Sequence, residues 1–88
     1  MNKWPSKEEV NYIKMRYPEG TRIRLNYMKD SQAVPSGTEG SVVMVDSIGQ
    51  IHMKWDNGRT LALVPDEDSF SVIPQKQAQG MVMQMGGL

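Results

Sequence analysis

Apolar positions near the start of the chain recur with the period of an α-helix. One stripe is available for docking, and it contains Val10, Ile13 and Tyr17. Ser6 and Glu9 have the spacing of a capping box, in which each side chain satisfies a backbone N–H at the helix start. The proline at position 18 is expected to stop the helix, because the residue before a proline disfavours helical backbone angles. The sequence therefore predicts one short amphipathic helix before that proline.

From residue 21 the apolar period becomes alternating, which is typical of a half-buried β-strand. The first predicted strand places Ile23, Leu25 and Tyr27 on its buried face. A polar loop follows over residues 29–40. Four further strands are predicted at residues 42–45, 51–55, 60–64 and 70–73. The first of these four reads VVMV, so we expect it to be covered on both faces.

The segment KWDNGRTLAL contains the turn between the third and fourth predicted strands. A two-residue Asn-Gly turn would place charged and apolar side chains on the same face. A three-residue loop, Asp56-Asn57-Gly58, with Gly58 in the left-handed conformation, pairs Trp55 with Arg59, Met53 with Leu61 and Ile51 with Leu63. That register puts the apolar residues on one face, so the sequence predicts the three-residue loop. Trp55 is then expected at the end of the buried face, beside Arg59.

Five short strands, close turns and one helix predict a mainly β fold. We expect a small five-stranded SH3-like barrel with a short N-terminal α-helix and a C-terminal tail, since closure removes exposed strand edges. An OB-type barrel is the alternative, although it usually needs longer strands. The predicted organisation is a helical segment over residues 1–17, the barrel over 18–73, and a Met-, Gln- and Gly-rich tail over 74–88. That tail is either flexible or ordered by a partner.

The composition is that of one small domain with a thin core. A chain of 88 residues buries only roughly 60 to 65% of the surface that its unfolded form exposes. The formal charge is zero, but residues 1–29 hold seven basic and three acidic side chains, whereas residues 30–73 hold two basic and seven acidic ones. We expect either a dipolar molecule or two halves that neutralise each other. Bulk electrostatic binding of nucleic acid is disfavoured by the zero net charge.

Few residues suggest catalysis or metal binding. The chain has no cysteine and one histidine, His52, which falls on the predicted outer face. The acids at 66–68 lack the alternating pattern of a calcium loop and are expected to form a solvated bend. The glycines of residues 37–40 are not followed by the lysine of a phosphate loop. We predict no enzyme and no cofactor or metal. We also expect a cytosolic location without membrane contact, since no apolar run approaches the roughly 20 residues of a membrane span.

A basic strip on the first strand is the best candidate for a binding surface. The candidate residues are Arg22, Arg24, Tyr27, Lys29, Trp55 and Arg59. Such a strip can meet phosphates or an acidic protein surface, and a half-covered tryptophan can stack on a ligand. The alternatives are a solvated strand face paired with the acidic second half of the chain, and a tryptophan that caps the core.

The tail offers a second candidate contact. Met81, Met83 and Met85 alternate along Met-Val-Met-Gln-Met, so this segment is a candidate for adding to a sheet edge of another copy or of a partner. A homo-oligomer through the tail or a barrel edge is therefore one possibility that the sequence leaves open.

Four motifs resemble an uncharacterised family of phages and mobile elements of Gram-positive bacteria, domain of unknown function 4314. These motifs are YPEGTRIRL at 17–25, VPSGTEG at 34–40, VDSIGQIHMKWDNG at 45–58 and LALVP at 61–65. The resemblance covers about two-thirds of the chain and leaves the tail out. It implies a small barrel in a mobile-element context, without an established activity or site.

These observations together predict a non-enzymatic binding protein. We expect it to occupy a host protein in the cytoplasm of a bacterial host, with a component of bacterial immunity as one candidate target. A nucleic-acid-binding barrel that uses Arg22, Arg24, Lys29 and Trp55 is the alternative. Sequestration of a small nucleotide signal between subunits is a weaker alternative.

Overall fold

The computed structural model of the chain describes residues 5–74, which form one α-helix and four β-strands. The helix α1 spans Lys7–Arg16, and the strands are β1 (Arg22–Tyr27), β2 (Glu39–Val45), β3 (Ile51–Trp55) and β4 (Ser69–Val72). All four strands pair antiparallel in one sheet, in the order β3-β2-β1-β4. The mainly β class with one short helix is as predicted.

The capping box predicted for α1 is present. The Ser6 side chain accepts a hydrogen bond from the Glu9 backbone N–H (3.1 Å), and the Glu9 carboxylate accepts one from the Ser6 backbone N–H (2.8 Å). Val10 is buried, and Ile13 and Tyr17 pack against the core from its margin. The predicted apolar stripe is therefore the face by which α1 docks.

Gly49, in the turn between β2 and β3, is the residue against which the start of α1 packs. It is buried and has a φ of +83°, a backbone conformation that residues with a side chain rarely adopt. A Cβ atom added there would lie 3.3 Å from both Ile13 Cδ1 and Pro5 Cγ, and 3.7 Å from Val10 Cγ2. The small residue thus lets the start of α1 approach the β2–β3 turn closely.

A β-bulge changes the face of the last residues of β1. Ile23 and Leu25 are fully buried, as the alternation predicts. The register with β4 shifts between Leu25 and Tyr27, so Tyr27 is 60% exposed and Met28 takes the next buried position. The prediction that Tyr27 belongs to the buried face is therefore wrong, because a bulge adds one residue and reverses the alternation beyond it.

A second bulge explains why β2 is apolar without being covered on both sides. Its register with β3 shifts between Val42 and Met44. Val42 and Val45 are both buried, although residues three positions apart face opposite sides of a regular strand. Val43 and Met44, which lie between them, are about half exposed. The predicted two-sided coverage is wrong. The predicted loop also ends too late, since β2 already begins at Glu39 and contains Gly40.

The three-residue loop is confirmed, together with the predicted pairs of Trp55 with Arg59 and Ile51 with Leu63, but the predicted pair of Met53 with Leu61 is not formed. Gly58 has a φ of +93°, and the Trp55 backbone N–H donates to the Arg59 carbonyl at 2.8 Å. Ile51 and Leu63 exchange backbone hydrogen bonds of 2.9 and 2.8 Å. Between these two points the pairing lapses, because the Leu61 carbonyl accepts the indole N–H of Trp55 at 2.8 Å. Residues 60–64 thus make one isolated bridge and no regular strand in the structure.

The sheet is open, and the five-stranded closed barrel is not confirmed. The core lies on one face of the sheet, and residues of the β1–β2 loop close it from the side. Its buried members are Ile23, Leu25, Met28, Val34, Val42, Val45, Ile51, Met53, Trp55 and Leu63. Ten such residues are the thin core expected of a small domain.

Candidate functional site

Arg22 lies on the outer face of β1, as predicted, and is held by acids of the second half of the chain. Its guanidinium donates two hydrogen bonds to the Asp56 carboxylate (3.0 and 2.6 Å) and one to the Ser41 hydroxyl (3.0 Å). This two-pronged contact raises the pKa of Arg22 and lowers the pKa of Asp56. Arg22 therefore anchors the β3 turn to β1.

The rest of the basic strip is also partly neutralised. Arg24 lies 3.6 Å from the Glu39 carboxylate, which also lies 3.6 Å from Arg22. Lys29 meets Asp68 only through its backbone N–H (3.1 Å), a contact that does not neutralise its side chain. The contacts of Arg22 and Arg24 match the alternative in which the basic first half pairs with the acidic second half.

Trp55 is buried and does not offer a stacking surface. It is 1% exposed, and its indole N–H is satisfied by Leu61. The ring packs against Gly40, where an added Cβ would come within 2.8 Å of the indole carbon Cε3. The hypothesis of a half-covered tryptophan that binds a ligand is therefore wrong. The alternative, a tryptophan that caps the core, describes its position.

The six candidate residues do not form one cluster. Arg59 lies beside Trp55 as predicted, but its guanidinium donates to the Gln32 carbonyl and so ties the β1–β2 loop to the hairpin. Within residues 5–74, no hydrogen bond, ion pair or ring contact joins Tyr27 or the Lys29 side chain to Arg22, Trp55 or Arg59. The tail candidates Met81, Met83 and Met85 lie outside the described residues.

A groove that contains none of the six candidate residues was not predicted. It lies between α1, the β2–β3 turn and the segment that leads into β4, and it has a volume of about 920 Å³. We call it the acidic groove. Its apolar floor contains Tyr12, Ile13, Tyr17, Ile48, Val64 and Pro65. Its carboxylates are Glu8, Glu9, Asp66 and Glu67. Three separate stretches of sequence contribute to the groove, so no single local motif could predict it.

A tight turn fixes the wall of the groove opposite α1. The Val64 carbonyl accepts backbone hydrogen bonds from Glu67 and Asp68, both of 2.9 Å. The Asp68 carboxylate in turn accepts a hydrogen bond of 2.8 Å from the Val64 backbone N–H. Asp68 is therefore used structurally, whereas its neighbours Asp66 and Glu67 point into exposed positions along the groove.

Three of the four carboxylates of the groove have no side-chain partner in residues 5–74. Glu9 is engaged in the capping box. In the described part of the chain, the side chains of Glu8, Asp66 and Glu67 make no ion pair or hydrogen bond. No lysine or arginine lines the groove. Arg16 lies close to two of the lining tyrosines, since its guanidinium carbon is 5.9 Å from the Tyr12 ring centre and 5.8 Å from that of Tyr17.

His52 has a structural partner in the β2–β3 turn. Its Nε2 lies 2.8 Å from Asp46 Oδ2, and Asp46 Oδ1 accepts the backbone N–H groups of Ile48 and Gln50. Partial burial raises the pKa of Asp46, but these hydrogen bonds outweigh burial and lower the pKa below its ordinary value. The pair holds the turn on which α1 rests.

No further chemistry is assembled around this pair. Residues 5–74 contain no group of three or more His, Asp or Glu side chains placed to hold a metal ion. No helix among these residues has both the length and the apolar character needed to cross a membrane.

Comparison with models of known protein families assigns the chain to one family. The model of Domain of unknown function (DUF4314) matches residues 6–73. The chain belongs to this family. The match runs from the N-cap of α1 to the residue after β4 and so includes every residue of the acidic groove except Pro5. No curated protein and no solved structure gives a significant match to the chain.

Proposed function

We propose that this chain is a non-catalytic binding protein of a phage or mobile element, which acts in the cytoplasm of a bacterial host by occupying a host protein. The acidic groove is the proposed contact surface. One observation carries the proposal: the groove combines exposed tyrosine with carboxylates that have no partner in residues 5–74. By contrast, the acids beside β1, Asp56 and Glu39, lie against Arg22 and Arg24.

The floor of the groove supports a protein partner. Tyr12 is 60% exposed and Ile48 is 37% exposed, and both face the same depression. Tyrosine gives a large contact area with little loss of side-chain freedom and is enriched at the centres of protein interfaces. An open groove of this kind suits a segment of polypeptide better than a small molecule, which usually needs a pocket that encloses most of its surface.

Nucleic acid is a weaker candidate for the partner. A strip that binds phosphates needs cations that are available, and Arg22 is committed to Asp56 while Arg24 lies beside Glu39. Stacking on bases needs an exposed ring, and Trp55 is buried. The same two observations weigh against a small nucleotide held between subunits.

A component of bacterial immunity is the proposed class of host target. This narrower proposal rests on the mobile-element context that the resemblance implies. A small protein of a mobile element that does no chemistry can still inhibit a host enzyme by covering a surface that the enzyme needs.

We further propose that the sheet is part of an SH3-like barrel in which residues 60–64 act as a fifth strand. The Ile51–Leu63 bridge supports this proposal, because it puts these residues beside β3 at the sheet edge opposite β4. Nuclear Overhauser contacts between residues 60–64 and β4 would support closure, and their absence would leave an open sheet.

Capture of a partner with two matched variants tests the proposed function. Tyr12 and Tyr27 are equally exposed, at 60%, and only Tyr12 lines the groove. We expect the full chain to capture a stoichiometric protein from lysates of Gram-positive hosts. Tyr12→Ser should reduce the capture by about tenfold or more, as removal of an interface aromatic does, whereas Tyr27→Ser should leave it unchanged.

Two results would contradict the proposal in different ways. Equal losses in the two variants would show that the acidic groove is not the contact surface. Failure to capture any stoichiometric protein from several hosts would count against a host protein as the partner. Both variants need a thermal unfolding measurement, so that a loss of fold is not read as a loss of binding.

A further inference from the structure

We infer that the acidic groove takes a basic segment of the partner, in which lysine or arginine residues flank one large apolar side chain. This inference rests on the proposed function and names the partner's chemistry at the same site. Three observations support it: carboxylates lie on both walls of the groove, the floor between them is apolar, and an arginine of this chain already lies close to the tyrosine rings.

Carboxylates without partners lie on both walls of the groove. Glu8 belongs to the first turn of α1, where an acid also stabilises the positive end of the helix. Asp66 and Glu67 on the opposite wall have no such role, and their side chains make no contact within residues 5–74 that would explain them. A chain segment lying between the walls therefore meets negative charge from both sides.

The floor between these walls is apolar, so charge alone does not describe the ligand. Ile13, Val64 and Pro65 are half-buried in the groove, and Ile48 is more exposed beside them. A partner with only lysine and arginine would leave this surface in contact with water. One large apolar side chain would cover it, with a gain of roughly 25 cal/mol for each Å² removed from water.

Arg16 demonstrates that the tyrosine rings of the groove accept a guanidinium. Its Cζ atom lies within 6 Å of the centres of both the Tyr12 and Tyr17 rings. A guanidinium at this distance is attracted to the negative face of an aromatic ring. An arginine of the partner can make the same contact from the groove side, next to the carboxylate of Glu8.

Two other occupants have part of the same chemistry. Residues 1–4 of this chain include Lys3 and Trp4 and lead directly to Pro5 in the groove wall. A second copy also offers basic side chains from its first half. The three carboxylates without a partner and the volume of about 920 Å³ favour a segment with several cations over a single lysine. The β1 arginines of a second copy already lie beside Asp56 and Glu39, so we commit to a basic segment of another protein.

Titration with a labelled peptide tests the inference on the full chain. The probe is a short dye-labelled peptide in which lysine and arginine flank one leucine and one tryptophan, and its control carries glutamate at every basic position. We expect the basic probe alone to bind, with an affinity that falls as salt is raised, because rim charges are screened. Fluorescence anisotropy measures both.

Charge-reversed variants locate the binding. Glu67 lines the acidic groove, and Glu19 is an exposed acid outside it, so Glu67→Lys and Glu19→Lys change the net charge equally. We expect Glu67→Lys to weaken binding by roughly fivefold or more, since it removes one attraction to the basic probe and adds one repulsion. Glu19→Lys should change the affinity by less than about twofold.

Each remaining outcome overturns the inference. Equal weakening in the two variants would mean general attraction to an acidic protein. A Trp4→Ala chain that binds the probe tenfold more tightly would make residues 1–4 the occupant. A dimer in sedimentation that Glu67→Lys dissociates would make it a second copy. If the probe fails to bind while Tyr12→Ser still abolishes capture of a host protein, the basic segment is wrong and the proposed function stands.

Discussion

At the residue scale, Gly40 and Trp55 pack closely together across β2 and β3. The sequence predicts that Trp55 ends the buried face of its strand, and it does. The sequence does not indicate that Trp55 packs against Gly40. The sequence suggests that Gly40 ends a loop, whereas in the structure it lies inside β2. The pairing of Gly40 with Trp55 across β2 and β3 follows from the register of two strands, which no local pattern contains.

Replacement of Gly40 tests this contact. An added Cβ would lie 2.8 Å from the indole and 2.8 Å from the Lys54 carbonyl oxygen, so something must move. We expect Gly40→Ala to lower the free energy of unfolding by about 1–3 kcal/mol, as overpacking of a core does. Urea denaturation measures the change, with the exposed Ser36→Ala as control. A loss below about 0.5 kcal/mol would mean that the strands adjust freely.

The Asp46 carboxylate is the second decisive residue, since it organises the β2–β3 turn. Its pKa is lowered in the folded chain, so it stabilises the fold above its unfolded pKa, and that stability is lost as the pH falls through the folded pKa. We expect Asp46→Asn to reduce the loss of stability below about pH 4. Denaturation at several pH values from neutral to strongly acidic measures this, and an unchanged pH profile would assign the acid sensitivity to other carboxylates.

At the scale of elements, the sequence predicts position well and sheet irregularities poorly. The capping box locates the start of α1, and the face pattern selects the loop Asp56-Asn57-Gly58 with its register. The bulges in β1 and β2 are missed, because each depends on how a neighbouring strand aligns. Exposure of Tyr27, Val43 and Met44 is the direct consequence of those bulges.

Hydrogen exchange of backbone amides tests the lapse in pairing after this loop. In a continuous ladder both Leu61 and Leu63 would donate to β3, since hydrogen-bonded pairs alternate along an antiparallel pair. In the structure Leu63 donates to Ile51, and the Leu61 carbonyl is taken by the indole of Trp55. We therefore expect slow exchange at Leu63 and fast exchange at Leu61. Equal protection of both amides would support a regular fifth strand.

At the scale of the whole molecule, the uneven distribution of charge has two outcomes. Acids of the second half neutralise β1, where Asp56 and Glu39 meet Arg22 and Arg24. Other acids, Asp66 and Glu67 among them, stay without partners in the described residues and face α1 across the acidic groove. The sequence predicts the first outcome as an alternative. It misses the second, because the groove exists only once the helix docks on Gly49.

Oxidative footprinting of the complex with a captured host protein tests the central claim most directly. Hydroxyl radicals modify exposed tyrosine and methionine, and the chain offers Tyr12 in the groove and Tyr27 and Met44 away from it, all well exposed. If the acidic groove is the contact surface, binding should protect Tyr12 from oxidation and leave Tyr27 and Met44 unchanged. Protection of Tyr27 or Met44 with continued oxidation of Tyr12 would contradict the proposal and move the contact to the sheet.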